Sequence, residues 1–154
     1  MKTKPLALLL PLFLAVVAFG VAASPHMGTW KLNEAKSKIP KGGAKNTTVV
    51  YEAVGDQIKV TVDGVDGTGS PAHNEWTGKF DGKDYAVTGD ATADMRSYKQ
   101  ISSHTLAITN KKGGKVVLTG RIVVSANGKT RTVTTTGTDA QGKKISAVAV
   151  YDKQ

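Results

Sequence analysis

The side chains able to do chemistry in this 154-residue chain are few and scattered. It has no cysteine, which removes thiol nucleophiles, thiolate zinc sites, iron–sulfur clusters and disulfide scaffolds together. His26, His73 and His104 lie far apart without metal-ligand spacing and read as surface histidines, although His73 and Glu75 share one strand face. Asp63-Gly-Val-Asp66-Gly-Thr-Gly offers oxygen donors but lacks the twelfth-position Glu and flanking helices of a calcium loop, and reads as a turn. No G-x-S-x-G, phosphate loop or paired-carboxylate motif occurs. What remains suits binding rather than bond-making: Tyr51, Trp76, Tyr85, Tyr151 and Arg131. Rings supply contact area, and a guanidinium pairs bidentately with carboxylate or phosphate. The chain is expected not to be an enzyme and to need no metal or cofactor.

These residues must be positioned by strands. Beyond Ser24 helical periodicity is almost absent, Thr and Val dominate, and turn dipeptides recur about every ten residues, the pattern of a sandwich or barrel. Ten strands are predicted: Gly28–Asn33, Thr47–Val54, Gln57–Asp63, His73–Phe80, Lys83–Thr88, Met95–Ile101, Thr105–Asn110, Lys115–Ser125, Lys129–Thr138 and Lys143–Tyr151. Only Glu34–Asn46 has room for a helical turn, limited by Pro40, Gly42 and Gly43. An open ten-strand meander would expose two edges, an aggregation hazard that closure removes. The expected fold is therefore an all-β, up-and-down antiparallel β-barrel.

Turn chemistry sets the register. Gly55-Asp56 as a two-residue loop places Tyr51 opposite Val60, Val49 opposite Val62, and Glu52 opposite Lys59 on the other face. Asp81-Gly82 in the same role places Trp76 opposite Val87, lays Tyr85 across Gly78, and pairs Lys79 with Asp84. Asn127-Gly128 is the strongest hairpin signal and sets Ile122 opposite Val133 and Val124 opposite Arg131. Its other face, Arg121 with Thr119, Thr130, Thr132, Thr134 and Thr136, reads as solvated. Ser102-Ser103 yields a mixed pairing of Lys99 with Leu106 and leaves the register there unassigned.

Ahead of the strands, Lys2 and Lys4 precede an apolar run from Pro5 to Ala23 ending in Val21-Ala22-Ala23. This reads as a signal peptide, residues 1–23, cleaved after Ala23, with one domain over 24–154. Cleavage removes two lysines and leaves 19 Lys+Arg against 12 Asp+Glu, a net charge of +7 on 131 residues. An exported chain without disulfides fits a bacterial periplasm or a secreted bacterial protein. The positive balance would attract an anionic lipid or polyanion surface, or serve solubility alone. Its lysines cluster in turns rather than among aromatics, so no nucleic acid is expected, and a monomer is.

Gly28-Thr29-Trp30-Lys31-Leu32 at the start and Val150-Tyr151-Asp152-Lys153 at the end, framing a ten-strand meander, resemble the calycin superfamily. The termini are most similar to fatty-acid-binding proteins, and the exported context to lipocalin-like domains. The resemblance implies a barrel around a small apolar or amphipathic ligand, with Trp30 packing structurally across the closed end. In those proteins an R-x-Y on the last strand grips a carboxylate; Tyr151 stands at the Tyr and Ala149 at the Arg.

Two choices stay open. Arg131 shares the face of Ile122, Val124 and Val133, so it either reaches into the barrel or snorkels to water beside its turn. Trp76 and Tyr85 either fill the core or wall a ligand. The mature chain has only seven aromatic residues, so its inward positions are small enough for an open cavity or for a narrow, filled barrel. An open interior means a carrier of a small molecule; a filled one means a structural or interaction protein acting through its basic surface.

Overall fold

A computed structural model describes residues 24–138 and 141–154; the leader expected at 1–23 lies outside the described residues. Ten strands follow in order: β1 (Gly28–Leu32), β2 (Lys45–Val54), β3 (Gln57–Val65), β4 (Pro71–Gly78), β5 (Tyr85–Thr88), β6 (Met95–Ser102), β7 (Thr105–Lys112), β8 (Lys115–Val124), β9 (Thr130–Thr138) and β10 (Lys144–Lys153). Each pairs antiparallel with the next, and β1 joins β10 through Trp30↔Lys153 and Leu32↔Tyr151, closing the barrel. Closure satisfies the backbone groups that a first and last strand would otherwise expose.

Alternation decides which face is inside. Val49 and Tyr51 on β2, Ile58, Val60 and Val62 on β3, Trp76 on β4, Leu106 on β7, and Ile122 and Val124 on β8 are all buried. The residues between them face solvent, as the two-residue period requires.

The register follows the turns, with instructive departures. At Gly55-Asp56 the expected pairs hold, Tyr51↔Val60, Val49↔Val62 and Glu52↔Lys59, with Gly55 at φ 62°. Lys59 turns from Glu52 to Glu75 on the neighbouring β4, at 2.8 Å. The β8–β9 pairs also hold, Ile122↔Val133 and Val124↔Arg131. Their turn, however, is built on Ala126-Asn127, closed by Gly128 N–H donating to the Ser125 carbonyl at 2.9 Å, with only Gly128 at positive φ.

Between β4 and β5 the pair Trp76↔Val87 forms as expected, but Lys79 and Asp84 do not meet. Phe80 and Gly82 hydrogen-bond to Gln100 and Tyr98 of β6 and draw the chain off β4 after Gly78. Lys79 then reaches Asp56 at 2.7 Å, and Asp84 reaches Lys111 at 2.6 Å. At Ser102-Ser103 a bulge between Gln100 and Ser102 puts Lys99 opposite Ala107, which removes the mixed pairing with Leu106.

The segment between β1 and β2 holds a single 3-10 turn, Glu34–Lys36, capped by the Asn33 side chain. It rejoins β10 through the Lys38↔Val148 bridge, so the segment straps the side of the barrel instead of forming a helical lid.

Candidate functional site

The inner faces of β1, β2, β9 and β10 converge at one end on a single cation. Arg131 lies opposite Val124 and Tyr151 in the ladders, so its side chain is committed to the interior. It is 2% exposed, which excludes the snorkelling orientation. Its guanidinium carbon sits 4.5 Å from the Tyr151 ring centre, 5.1 Å from Tyr51 and 5.2 Å from Trp30. Three ring faces supply the negative quadrupole that a desolvated cation seeks. No carboxylate pairs with it among the described residues, and its Nε and Nη1 are buried without a hydrogen-bond partner. Burial raises the Tyr151 pKa, against the opposing charge of Arg131.

Trp30 lies at this same end. It is fully buried, its Nε1 donates to the His26 carbonyl at 2.9 Å, and the Lys153 ammonium lies 5.1 Å from its ring. Beneath it His26 plugs the barrel floor, contrary to its reading as a surface residue: the Ser24–Met27 turn folds its ring inward, edge-on to Phe80 at 6.1 Å. Both its ring nitrogens are buried without partners. Burial, and then the nearby charge of Arg131, lower its pKa to about 4, so the plug is neutral at neutral pH.

The other expected contact residues divide. Tyr51 belongs to the Arg131 cage and also packs edge-on to Tyr98 at 6.2 Å and Phe80 at 6.4 Å. Trp76 is 1% exposed, packs on Tyr98 at 4.7 Å, and donates from Nε1 to the Arg96 carbonyl. Tyr85 is only half-buried, lies across Gly78 as the hairpin predicted, and sends its hydroxyl outward to Asp81 at 2.8 Å. Trp76 and Tyr85 are thus core and rim of the aromatic packing, away from Arg131.

Several participants belong to no motif, and strand alternation is their one signal in the sequence. Tyr98 and Arg96 sit on β6, whose facing is hidden by the bulge. Arg96, 5% exposed, donates to Asn110 at 2.9 Å, Asn74 at 3.1 Å and Asp90 at 3.1 Å, clipping β4, β6, β7 and the β5–β6 turn together. Unlike Arg131 it is fully used. Alternation alone could have put Arg96, Tyr98, Asn110 and Asn74 on inward faces.

Nearer the other end the lining changes. Leu32, Ile108, Val133 and Ala149 occupy the inner face, each paired with or adjacent to buried residues, yet they remain only partly buried. Gly120, Thr135, Gly137 and Ala147 continue the same wall with small side chains. The barrel is therefore filled by aromatic residues at its floor and thinly lined above.

The remaining candidates are structural. His73 Nδ1 meets Asp63 at 2.6 Å on the exposed outer face, which raises its pKa. Asp66 Oδ1 accepts from Thr68 and Ser70 in its own turn. Among the described residues no cluster of three or more His, Asp or Glu could hold a metal. Arg121 is exposed on the threonine-rich face, as its register required.

Fold and site together define a class: a closed ten-strand up-and-down antiparallel β-barrel with an unpaired cation buried at its floor. Among solved structures the chain is similar to that of EF1p2_mFAP2b bound to DFHBI, with a TM-score of 0.52 and 12% identity, covering 86% of this chain and 97% of that one. At that identity the likeness is one of fold. No family model and no curated protein sequence matches the chain.

Proposed function

We propose that this protein is an exported, non-catalytic barrel that binds a small amphipathic molecule. The ligand's anionic group meets Arg131, and its apolar body lies against Leu32, Ile108, Val133 and Ala149. The observation that carries this reading is the pair of buried, unpartnered guanidinium donors on Arg131. Such donors are costly to bury, and the oxygens of a carboxylate or phosphate are the acceptors that best match a buried guanidinium. Val133 and Ala149 stand two residues from Arg131 and Tyr151 on the same inner faces, so an acid seated at the floor would run its chain along them. Each Å² of apolar ligand surface removed from water would add about 25 cal/mol. The solved neighbour of the same fold is bound to DFHBI, which supports treating the barrel as a scaffold for small molecules. Export rests on the basic, then apolar, leader at residues 1–23.

The packed floor favours a second reading, a filled barrel that works only through its surface. The two separate on titration with long-chain fatty acids and retinoic acid against the corresponding alcohols, followed by the fluorescence of Trp30 and Trp76. A carrier of the proposed kind shows saturable change with the acids and at least roughly tenfold weaker response to the alcohols. Absence of saturable change, together with no co-purified lipid in native mass spectrometry, supports the filled barrel.

A further inference from the structure

Beyond Leu118↔Gly137, the last pair of their ladder, β8 and β9 part. The cause is a bulge: Asn110 pairs with Leu118 but Lys111 with Val116, so Val117 is the extra residue and the β7–β8 tip bends away. β9 stays with β10 through Thr138↔Lys144. The described ends of β8 and β9 thus stand apart as two fingers, and a shallow notch of about 180 Å³ opens between them, lined by Val116, Leu118, Thr136, Gly137 and Lys144 among others.

Charge and apolar surface are combined on these fingers. Residues 111–119 and 136–146 contain five lysines and one acidic residue, Asp139. Asp94 approaches only as a backbone cap, accepting from Gly113 N–H. Lys111 is held by Asp84, whereas Lys112, Lys115 and Lys144 have no carboxylate partner among the described residues and are exposed. Beside them Val116 and Ile145, at 53% and 42%, are among the exposed large apolar side chains of the described residues. The strap between β1 and β2 carries exposed Lys36, Lys38 and Lys41, and Lys38 bridges Val148 of β10.

We propose that these two fingers dock the barrel on an anionic phospholipid surface. Lysine heads match phosphate oxygens and the negative surface potential, while aliphatic side chains on the same edge enter the headgroup boundary. A single-stranded nucleic acid would want exposed rings to stack upon, and the seven aromatic residues of the mature chain lie in or against the core instead. Docking in this pose turns the thinly lined half of the barrel toward the bilayer. The inference stands whether or not the interior holds a ligand.

The test is co-sedimentation of the full mature chain with vesicles of about 30% phosphatidylglycerol in phosphatidylcholine, and with phosphatidylcholine alone, at about 0.1 M salt. The wild-type chain is expected to bind only the anionic vesicles and to release as salt rises. The triple variant Lys112→Gln, Lys115→Gln, Lys144→Gln should partition at least about tenfold less, and Val116→Ser with Ile145→Ser should also weaken binding. Lys83→Gln with Lys129→Gln, at the floor end, should change it by less than about twofold. Near-UV circular dichroism identifies any variant that fails to fold. No binding to anionic vesicles, an equal loss from both lysine sets, or binding to heparin without binding to vesicles would each overturn the proposal.

Discussion

Replacing Arg131 by methionine should make the ligand-free barrel more stable, not less. The side chain is 2% exposed, has no carboxylate partner among the described residues, and leaves Nε and Nη1 unmatched. Two orphaned donors cost about 1–3 kcal/mol each. Against this, three ring faces at 4.5–5.2 Å return about 0.5–2 kcal/mol each. Methionine keeps much of the volume and the ring contacts, and buried ions exchanged for apolar residues of similar size have been neutral or stabilising by about 1–4 kcal/mol. The expected gain is about 1–3 kcal/mol, which for a domain of this length raises Tm by roughly 3–6 °C per kcal/mol. Urea denaturation followed by tryptophan fluorescence measures it, with Arg131→Lys as the charge-retaining control. The same Arg131→Met variant should lose acid binding in the titration above. A loss of stability greater than about 1 kcal/mol would refute the reasoning, because it would mean that the rings need the cation to pack.

Arg96 should behave in the opposite way. Arg96→Met strands Asp90, Asn74 and Asn110, and should cost about 3–5 kcal/mol in denaturant titration. The His26 plug makes stability depend on pH. Its folded pKa of about 4 lies below the ordinary 6.5, so the unfolded chain binds the proton first as pH falls. Its contribution is complete above pH 6.5 and is lost as pH falls from there through about 4, amounting to about 3 kcal/mol. His26→Leu should flatten that slope between denaturation curves taken at the two ends of the window. Gly78→Ala places a methyl 2.6 Å from the Tyr85 ring and 2.7 Å from Trp76, and should destabilise by about 1–3 kcal/mol. A Tm equal to wild type would show that Tyr85 can move off the strand.

Much of the barrel is legible from residue order because its information is local. Gly55-Asp56 fixes Tyr51↔Val60, and the Asn127-Gly128 region fixes Val124↔Arg131, since a short turn and a period of two leave one register with a buried face. Even where the turn differs from expectation, as at Ala126-Asn127, the register survives, because both loops join the same residues. The expectation that fails does so where a third strand intervenes: Lys79 and Asp84 separate because β6 captures Phe80 and Gly82, which the β4–β5 hairpin itself does not encode. The bulge that sets the pairing of Lys99, where turn chemistry left the register unassigned, lies within the β6–β7 ladder.

The site divides in the same way. Alternation along β9 puts Arg131 on the face of Val133, and the order of residues alone reaches that point. That the guanidinium is enclosed by Trp30, Tyr51 and Tyr151, and that His26 closes the floor beneath it, depends on β1 and β10 meeting across the longest separation in the chain. Side-chain periodicity is a property of each strand and can be read without its neighbours. Whether a charge is buried, and which groups surround it, is a property of closure, because only the finished barrel excludes water from that face.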